Sequence, residues 1–141
     1  MSDDAPLLAL VATGTVGVLA TLKRDGRPQL SNVSYTYDDG PRVIRVSITD
    51  SRAKTANIRR DPRVSLQVSA DNGWSYAVVE GIAELTPVAT DPQDATVDEL
   101  VEVFRAIGGE HSDWDEYRAA MVQDGRLVLR IPVERVYGLS R

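Results

Sequence analysis

TVGVLATLKRDGRPQLSNVSYTY, residues 15–37, decides how this chain folds. Thr15 to Lys23 is β-branched and apolar, and Arg24-Asp25-Gly26 interrupts it. Asp-Gly between two β-like runs is a strong hairpin signal, because both residues accept the positive φ that a tight strand reversal needs. The return strand runs from Pro28 to Tyr37, with Leu30, Asn32, Ser34 and Thr36 alternating against Ser31, Val33, Tyr35 and Tyr37. A period of two places these sets on opposite faces.

The pattern continues outward. Asp38-Asp39-Gly40-Pro41 predicts a second turn, and Arg42 to Thr49 a third strand. A helix is expected after Ser51, ending at or before Asp61 because Pro62 disfavours helical geometry in its predecessor. Arg63 to Ala70 alternates as a fourth strand, Asp71-Asn72-Gly73 turns it, and Trp74 to Thr86 forms a long fifth in which Gly81 predicts a bulge or bend. Thr96-Val97-Asp98-Glu99 has the form of a capping box ahead of a helix that Gly108-Gly109 ends. Asp113 to Val122 is a second short helix, with Glu116 as capping partner, and Arg126–Ile131 and Val133–Leu139 are the last strands. Hairpins with helices between some strands predict a small antiparallel β-barrel with peripheral helices, as one domain spanning residues 1–141.

Composition narrows the function. The 141 residues contain no cysteine, which excludes disulfides, thiolate metal sites and cysteine nucleophiles. His111 is the only histidine, so paired-histidine metal sites are excluded and a Ser/His/Asp triad is disfavoured; no metal is expected. No apolar run approaches the roughly 20 residues of a membrane span. The patch Pro6–Ala12 follows Asp3 and Asp4, so it reads as an amphipathic first helix rather than a signal peptide, and a cytoplasmic location is expected.

A net charge of −5 argues against general nucleic-acid affinity. Its distribution matters more. Arg42 to Arg63 holds seven basic residues against Asp50 and Asp61, whereas Asp91 to Asp124 holds ten acids against Arg105 and Arg118. The basic segment contains Ser47-Ile48-Thr49-Asp50-Ser51-Arg52-Ala53-Lys54-Thr55-Ala56-Asn57, where a strand delivers hydroxyls, an arginine and a lysine to a helix start. Helix N-termini attract anions, and Arg52 can fork onto two phosphate oxygens while Lys54 and the Ser51 or Thr55 hydroxyls add donors. A capped, solvated surface helix fits the same residues. Gln29-Leu30-Ser31-Asn32 puts amides and a hydroxyl on a strand, to read a polar heterocycle or to face water. Trp74-Ser75-Tyr76 offers either a stacking platform or packing surface. An anion clamp, strand-borne amides and an aromatic wall suit a flat, phosphorylated, heteroaromatic cofactor such as a flavin or deazaflavin.

Four blocks in order, GVLATLKRDGRPQLSNVSY, VSITDSRAKTANIRRDPRVSLQV, GWSYAVVEGIAELTP and GEHSDWDEYRAAMV, cover nearly the whole chain. Together they resemble the actinobacterial split β-barrel flavin/deazaflavin oxidoreductases of the pyridoxamine 5′-phosphate oxidase-like superfamily, in the branch that uses coenzyme F420. The resemblance implies a mainly β (α+β) fold, an FMN-binding type of split barrel with six to seven antiparallel strands. It implies a homodimer with two cofactor sites at the interface, and a hydride passed from reduced coenzyme F420 to a small electron-poor organic substrate. Carried over by position, Arg52 and Lys54 hold the cofactor phosphate, helped by Thr55 and Asn57. Gln29, Ser31 and Asn32 lie along the ring or ribityl chain, with Ser47, Ile48 and Thr49 on the neighbouring strand, and Trp74, Ser75 and Tyr76 come from the partner subunit. No residue is assigned as catalytic. Residues Arg126 to Gly138 depart from the substrate-binding tail of true pyridoxamine-phosphate oxidases, which argues against vitamin B6 oxidation. An FMN-dependent enzyme with the same clamp, a deazaflavin carrier without catalysis, and an RNA-binding barrel using the basic patch with Trp74 and Tyr76 remain as alternatives.

Overall fold

The computed structural model describes residues 4–140; Asp3, counted above among the acids before the first helix, lies outside them. Helix α1 (Asp4–Thr13) leads into strands β1 (Val16–Leu22), β2 (Pro28–Ser34), β3 (Thr36–Asp38) and β4 (Val43–Thr49). Helix α2 (Ala53–Arg60) precedes β5 (Arg63–Ser69), β6 (Tyr76–Ile82) and β7 (Glu84–Leu85). Helices α3 (Ala95–Gly108) and α4 (Trp114–Gln123) come before β8 (Arg126–Pro132) and β9 (Arg135–Leu139). The strands form two antiparallel sheets, β2-β1-β5-β6-β9 and β3-β4-β8-β7. This is the expected split barrel, with nine strands in place of six to seven. The same segments account for both counts: the second strand breaks after Ser34, where Tyr35 turns into the core, and the long fifth breaks at buried Ala83.

The hairpin registers follow the alternation read above. Val18 pairs with Asn32 and Ala20 with Leu30, so β2 turns Leu30, Asn32 and Ser34 to the outside of its sheet. Inside the barrel, Leu19, Leu66 and Val79 of one sheet meet Ile44, Val46, Ile48, Leu127, Leu129 and Ile131 of the other. Buried Leu7, Leu8 and Val11 of α1 join that core, and the Tyr35 hydroxyl donates to Val11 O at 2.5 Å. Burial there pushes the Tyr35 phenol up to about 12. Gly81 is required by close approach: a Cβ there would stand 2.4 Å from Pro132 O, where the two sheets meet.

Strand β8 explains where the acidic helices sit. Leu127 and Leu129 face the barrel, while Val128 is equally buried on the other side under α3 and α4, against Leu100, Val101 and Met121. The expected capping box is displaced. Asp94 caps α3 by accepting from Val97 N at 2.8 Å, and Thr96 instead donates to Pro87 O. Glu99 turns down to the sheet, where its carboxylate accepts from Arg45 Nε at 3.1 Å and from Arg130 at both oxygens, 2.8 Å from Nε at one of them. Arg45 and Arg130 are register partners, so one carboxylate staples α3 across two strands. Asp113 caps α4 at Glu116 N, as the sequence suggested.

Candidate functional site

Strand β4 ends at Thr49, and a short turn delivers Arg52 as the extended N-cap of α2, with no side chain capping the helix. The helix start is therefore open to an external anion, which its dipole favours. Arg52 is exposed beside it. Lys54, half-buried in the first turn, donates to Ser31 Oγ at 3.4 Å. Burial pushes the Lys54 amine down, and the Arg52 and Arg126 charges add to the shift. Neither Arg52, Lys54 nor Arg126 has a carboxylate partner among the described residues. Such a cluster of uncompensated cations is an arrangement that an anionic ligand neutralises.

The other helix residues take different roles from those first assigned. Thr55 is fully buried and its hydroxyl donates to Thr49 O at 2.7 Å, so it closes the turn rather than facing a phosphate. Asn57 is also buried. Its amide donates to Gln29 Oε1 at 2.6 Å and Thr21 Oγ1 at 3.1 Å, and its carbonyl oxygen accepts from Arg60. Asn57 and Gln29 thus tie α2 to the first hairpin. Arg59 is paired with Asp50 at 2.6 Å.

Beside Lys54 opens a cleft of about 480 Å³. Asn32, Val33 and Ser34 of β2 form one side, and Ser47 and Arg126 lie in its floor, with Lys54 at the α2 end. Val103, Phe104, Ile107 and Gly108 of α3 and Tyr117 and Met121 of α4 form the opposite, mainly apolar wall. Among the described residues, no acidic side chain lines it. Four rings stiffen the outer corner: Phe104, His111, Trp114 and Tyr117 are mutually in contact, with Phe104 and Tyr117 centroids 5.0 Å apart. His111 is part of that packing, and its Nδ1 accepts from Asp113 N at 2.9 Å. Tyr117 donates to Leu100 O, fastening α4 to α3.

The structure therefore gathers Asn32, Ser47 and Lys54 around one space, with Ser31 beside it as the Lys54 acceptor and with Thr49 and Arg52 in the turn that leads to α2, outside the lining. It turns Ile48 away: that side chain is in the barrel core, on the opposite face of β4 from Ser47, and only its backbone faces the ligand side. Trp74, Ser75 and Tyr76 are also apart. Tyr76 stands opposite Ser69 on β6, three strands from β2, or about 14 Å at ordinary strand spacing. Trp74 is 70% exposed on the preceding turn, and Ser75 is buried. Within one chain these residues do not reach the cleft.

Arg126, Phe104 and Tyr117 are the site residues that sequence reading missed. Arg126 lies opposite Thr49 in the β4–β8 register, although 77 positions separate them, and no local motif signals that pairing. Phe104 falls inside the helix expected between Thr96 and Gly108, and no local motif singles it out.

Comparison with known proteins gives the family and supports the fold. The sequence profile of the pyridoxamine 5′-phosphate oxidase family matches residues 5–140. An F420H(2)-dependent biliverdin reductase from Mycobacterium tuberculosis is 28% identical over 98% of this chain and 88% of its own length. Among solved structures, a conserved hypothetical protein from the same organism superposes with a TM-score of 0.73 at 25% identity, covering 97% of this chain and 84% of that one. An F420 reductase superposes with a TM-score of 0.69 at 23% identity, covering 92% and 94%.

Proposed function

Because the chain belongs to the pyridoxamine 5′-phosphate oxidase family, we propose that it is an oxidoreductase of the deazaflavin-using kind, a coenzyme F420-dependent reductase of small electron-poor organic molecules. The observation that carries this reading is the cleft itself: Lys54 at one end and Arg126 in the floor, no carboxylate among the described lining residues, and an apolar wall opposite. The residues present fit a phosphorylated tricyclic cofactor. The open start of α2 with Arg52 and Lys54 suits the phosphate, Asn32 and Ser47 supply hydrogen-bonding groups along the cleft, and Ser31 holds Lys54 from beside it. Its volume falls within the usual range for a ligand site.

Reduced coenzyme F420, when bound, supplies the hydride. The chain's own contribution is placement. Arg52 and Lys54 anchor the charged end, the Asn57–Gln29 tie keeps that anchor in register with β2, and the wall of α3 and α4 excludes water. No carboxyl group lines the cleft among the described residues, and in this reading the proton that completes reduction of the substrate is taken from solvent. The relative that reduces biliverdin with F420H(2) supports this reading over others.

We take the working unit to be a homodimer with two cofactor sites. Support comes from the outer face of the five-stranded sheet, where Val16, Leu30, Ile82, Tyr137 and Leu139 are between 41% and 64% exposed. Trp74, Ser75 and Tyr76, too far from their own clamp, then belong to the partner's site. FMN is the second reading, favoured by the family's own description.

Titration of the purified protein with coenzyme F420 and with FMN separates the two. F420 should bind more tightly at physiological salt, and its reduced form should be oxidised measurably by at least one member of a panel of enones, quinones and tetrapyrroles. Tighter FMN binding would transfer the proposal to a flavin enzyme. Tight F420 binding with no turnover on any panel member would make the protein a carrier.

A further inference from the structure

Arg126 is in the cleft but outside the anchor at the helix start. It begins β8, just after the positive-φ Gly125, on the sheet face covered by α3 and α4. Its guanidinium has five N–H donors. Among the described residues, one of these makes a long contact to Ser47 O, 3.4 Å, while Nε is buried with no partner at all. Among the described residues no carboxylate is paired with it. An arginine built into the floor of a cleft with spare donors and no counter-ion is an unfilled anion fork.

Its surroundings define the ligand. Phe104, Tyr117 and Met121 stand across from it, so what Arg126 grips must have a flat or apolar body lying against that wall. Arg52 is not part of the cleft lining and Lys54 lines it only at the α2 end, so Arg126 shares the space with one member of the phosphate anchor and adds a second cation on its floor. The Arg126 charge is felt both at Lys54 and at the Tyr117 phenol, whose proton affinity it lowers against the larger, opposite effect of burial. Arg126 therefore sits between the anchor and the aromatic wall.

We propose that Arg126 is a specificity-determining residue that grips a carboxylate on the molecule being reduced, making the preferred substrates planar, conjugated carboxylic acids. The inference rests on the reductase reading only for calling that molecule a substrate; the carboxylate site itself stands on the cleft geometry.

The test uses anthraquinone-2-carboxylate and its neutral carboxamide as probes, with binding to the full chain followed by calorimetry. Wild-type protein should bind the carboxylate more tightly. Arg126→Gln should weaken carboxylate binding at least about tenfold, the size of one charge-assisted hydrogen bond, and leave the carboxamide unchanged. Arg126→Lys, which keeps the charge but not the fork, should fall between them and serves as a second variant should Arg126→Gln not fold. With turnover measured, the carboxylate's KM should rise in Arg126→Gln while kcat changes little.

Equal wild-type affinity for the two probes, or no binding of either, would overturn the proposal. So would a loss in Arg126→Gln common to both probes, or a loss of coenzyme F420 affinity larger than the loss of carboxylate affinity. Failure of F420 to bind, with Arg126-dependent carboxylate binding intact, would remove the reductase reading and leave the carboxylate site standing.

Discussion

Lys54 is where the chemistry of a single side chain is most informative. Its amine is held below its ordinary range by burial first and by Arg52 and Arg126 second. A folded-state value that is depressed for a base means the folded chain binds its proton less readily than the unfolded chain does. That penalty is present wherever the unfolded lysine is protonated, and it fades as pH rises through the ordinary lysine range. An arriving phosphate opposes both causes with its negative charge, so binding raises the proton affinity of Lys54 and draws a proton onto it wherever the pH leaves part of the free site deprotonated. Calorimetric titration with the cofactor in buffers of different ionisation enthalpy should show net proton uptake there, and Lys54→Met should abolish it. Arg52→Ala and Lys54→Ala should each weaken cofactor binding by about 1.5–3 kcal/mol. Wild-type affinity in both would remove the anchor. These two residues were legible because the pattern strand, turn, basic residue, helix start is local. Thr55 and Asn57 were legible as important but not in role. Whether a hydroxyl faces outward or back to Thr49 O depends on how the helix is seated, which the sequence of the helix alone does not encode.

At the scale of an element, α3 depends on one carboxylate. Glu99 joins it to β4 and β8 through Arg45 and Arg130, and the Arg130 hydrogen bond is the main reason its carboxyl stays below the usual glutamate range. A depressed folded-state value contributes stability that is full above roughly pH 4.3, where a free glutamate titrates, and is lost as pH falls through the folded value. Glu99→Gln should cost about 1.5–3 kcal/mol in urea unfolding at pH 7. It should also flatten the decline of stability between neutral pH and pH 3. Because α3 carries Val103, Phe104 and Ile107 into the cleft, the same variant should raise substrate KM more than it disturbs cofactor affinity. An unchanged acid profile would show that the staple carries little of this load. Sequence reading gave Glu99 to a capping box. Asp94, two residues ahead of Thr96, captured the cap instead because its carboxylate also collects Thr90 N and Asp91 N from the preceding turn. Hairpins and helix ends were readable for the opposite reason, since Asp25-Gly26, Asn72-Gly73 and Gly108-Gly109 act within a few residues. The placement of Arg126 was not readable, because a sheet register between distant strands creates it.

For the whole molecule, the outer face of the five-stranded sheet sets the expectation. Leu30 at 64% and Val16 at 58% exposure lie on adjacent strands, and Tyr137 and Leu139 continue the apolar surface at the far edge. Several exposed apolar side chains on one sheet face, with the polar Ser65 and Gln67 of β5 between them, suit a partner, and a stable interface buries about 1,200–2,000 Å² in total. Light scattering at micromolar concentration should return twice the 15.4 kDa chain mass. Leu30→Glu should shift the mass to that of one chain and reduce cofactor binding with it, since the proposed site is completed by the partner's Trp74, Ser75 and Tyr76. A monomer mass with cofactor still bound would defeat the shared-site arrangement.

The Asn57 amide, held between Thr21, Gln29 and Arg60, has an evolutionary consequence. Any change there moves the phosphate anchor and the first hairpin together, so drift at that end of the cleft is coupled to the fold. The corner built by Phe104, His111, Trp114 and Tyr117 is tied differently, chiefly by ring contacts and by Glu99 and Tyr117, and it stands outside the barrel core. It can exchange one aromatic for another without disturbing the anchor. In a lineage of such chains, substitutions at the anchor end should therefore be rarer than substitutions at the helical corner.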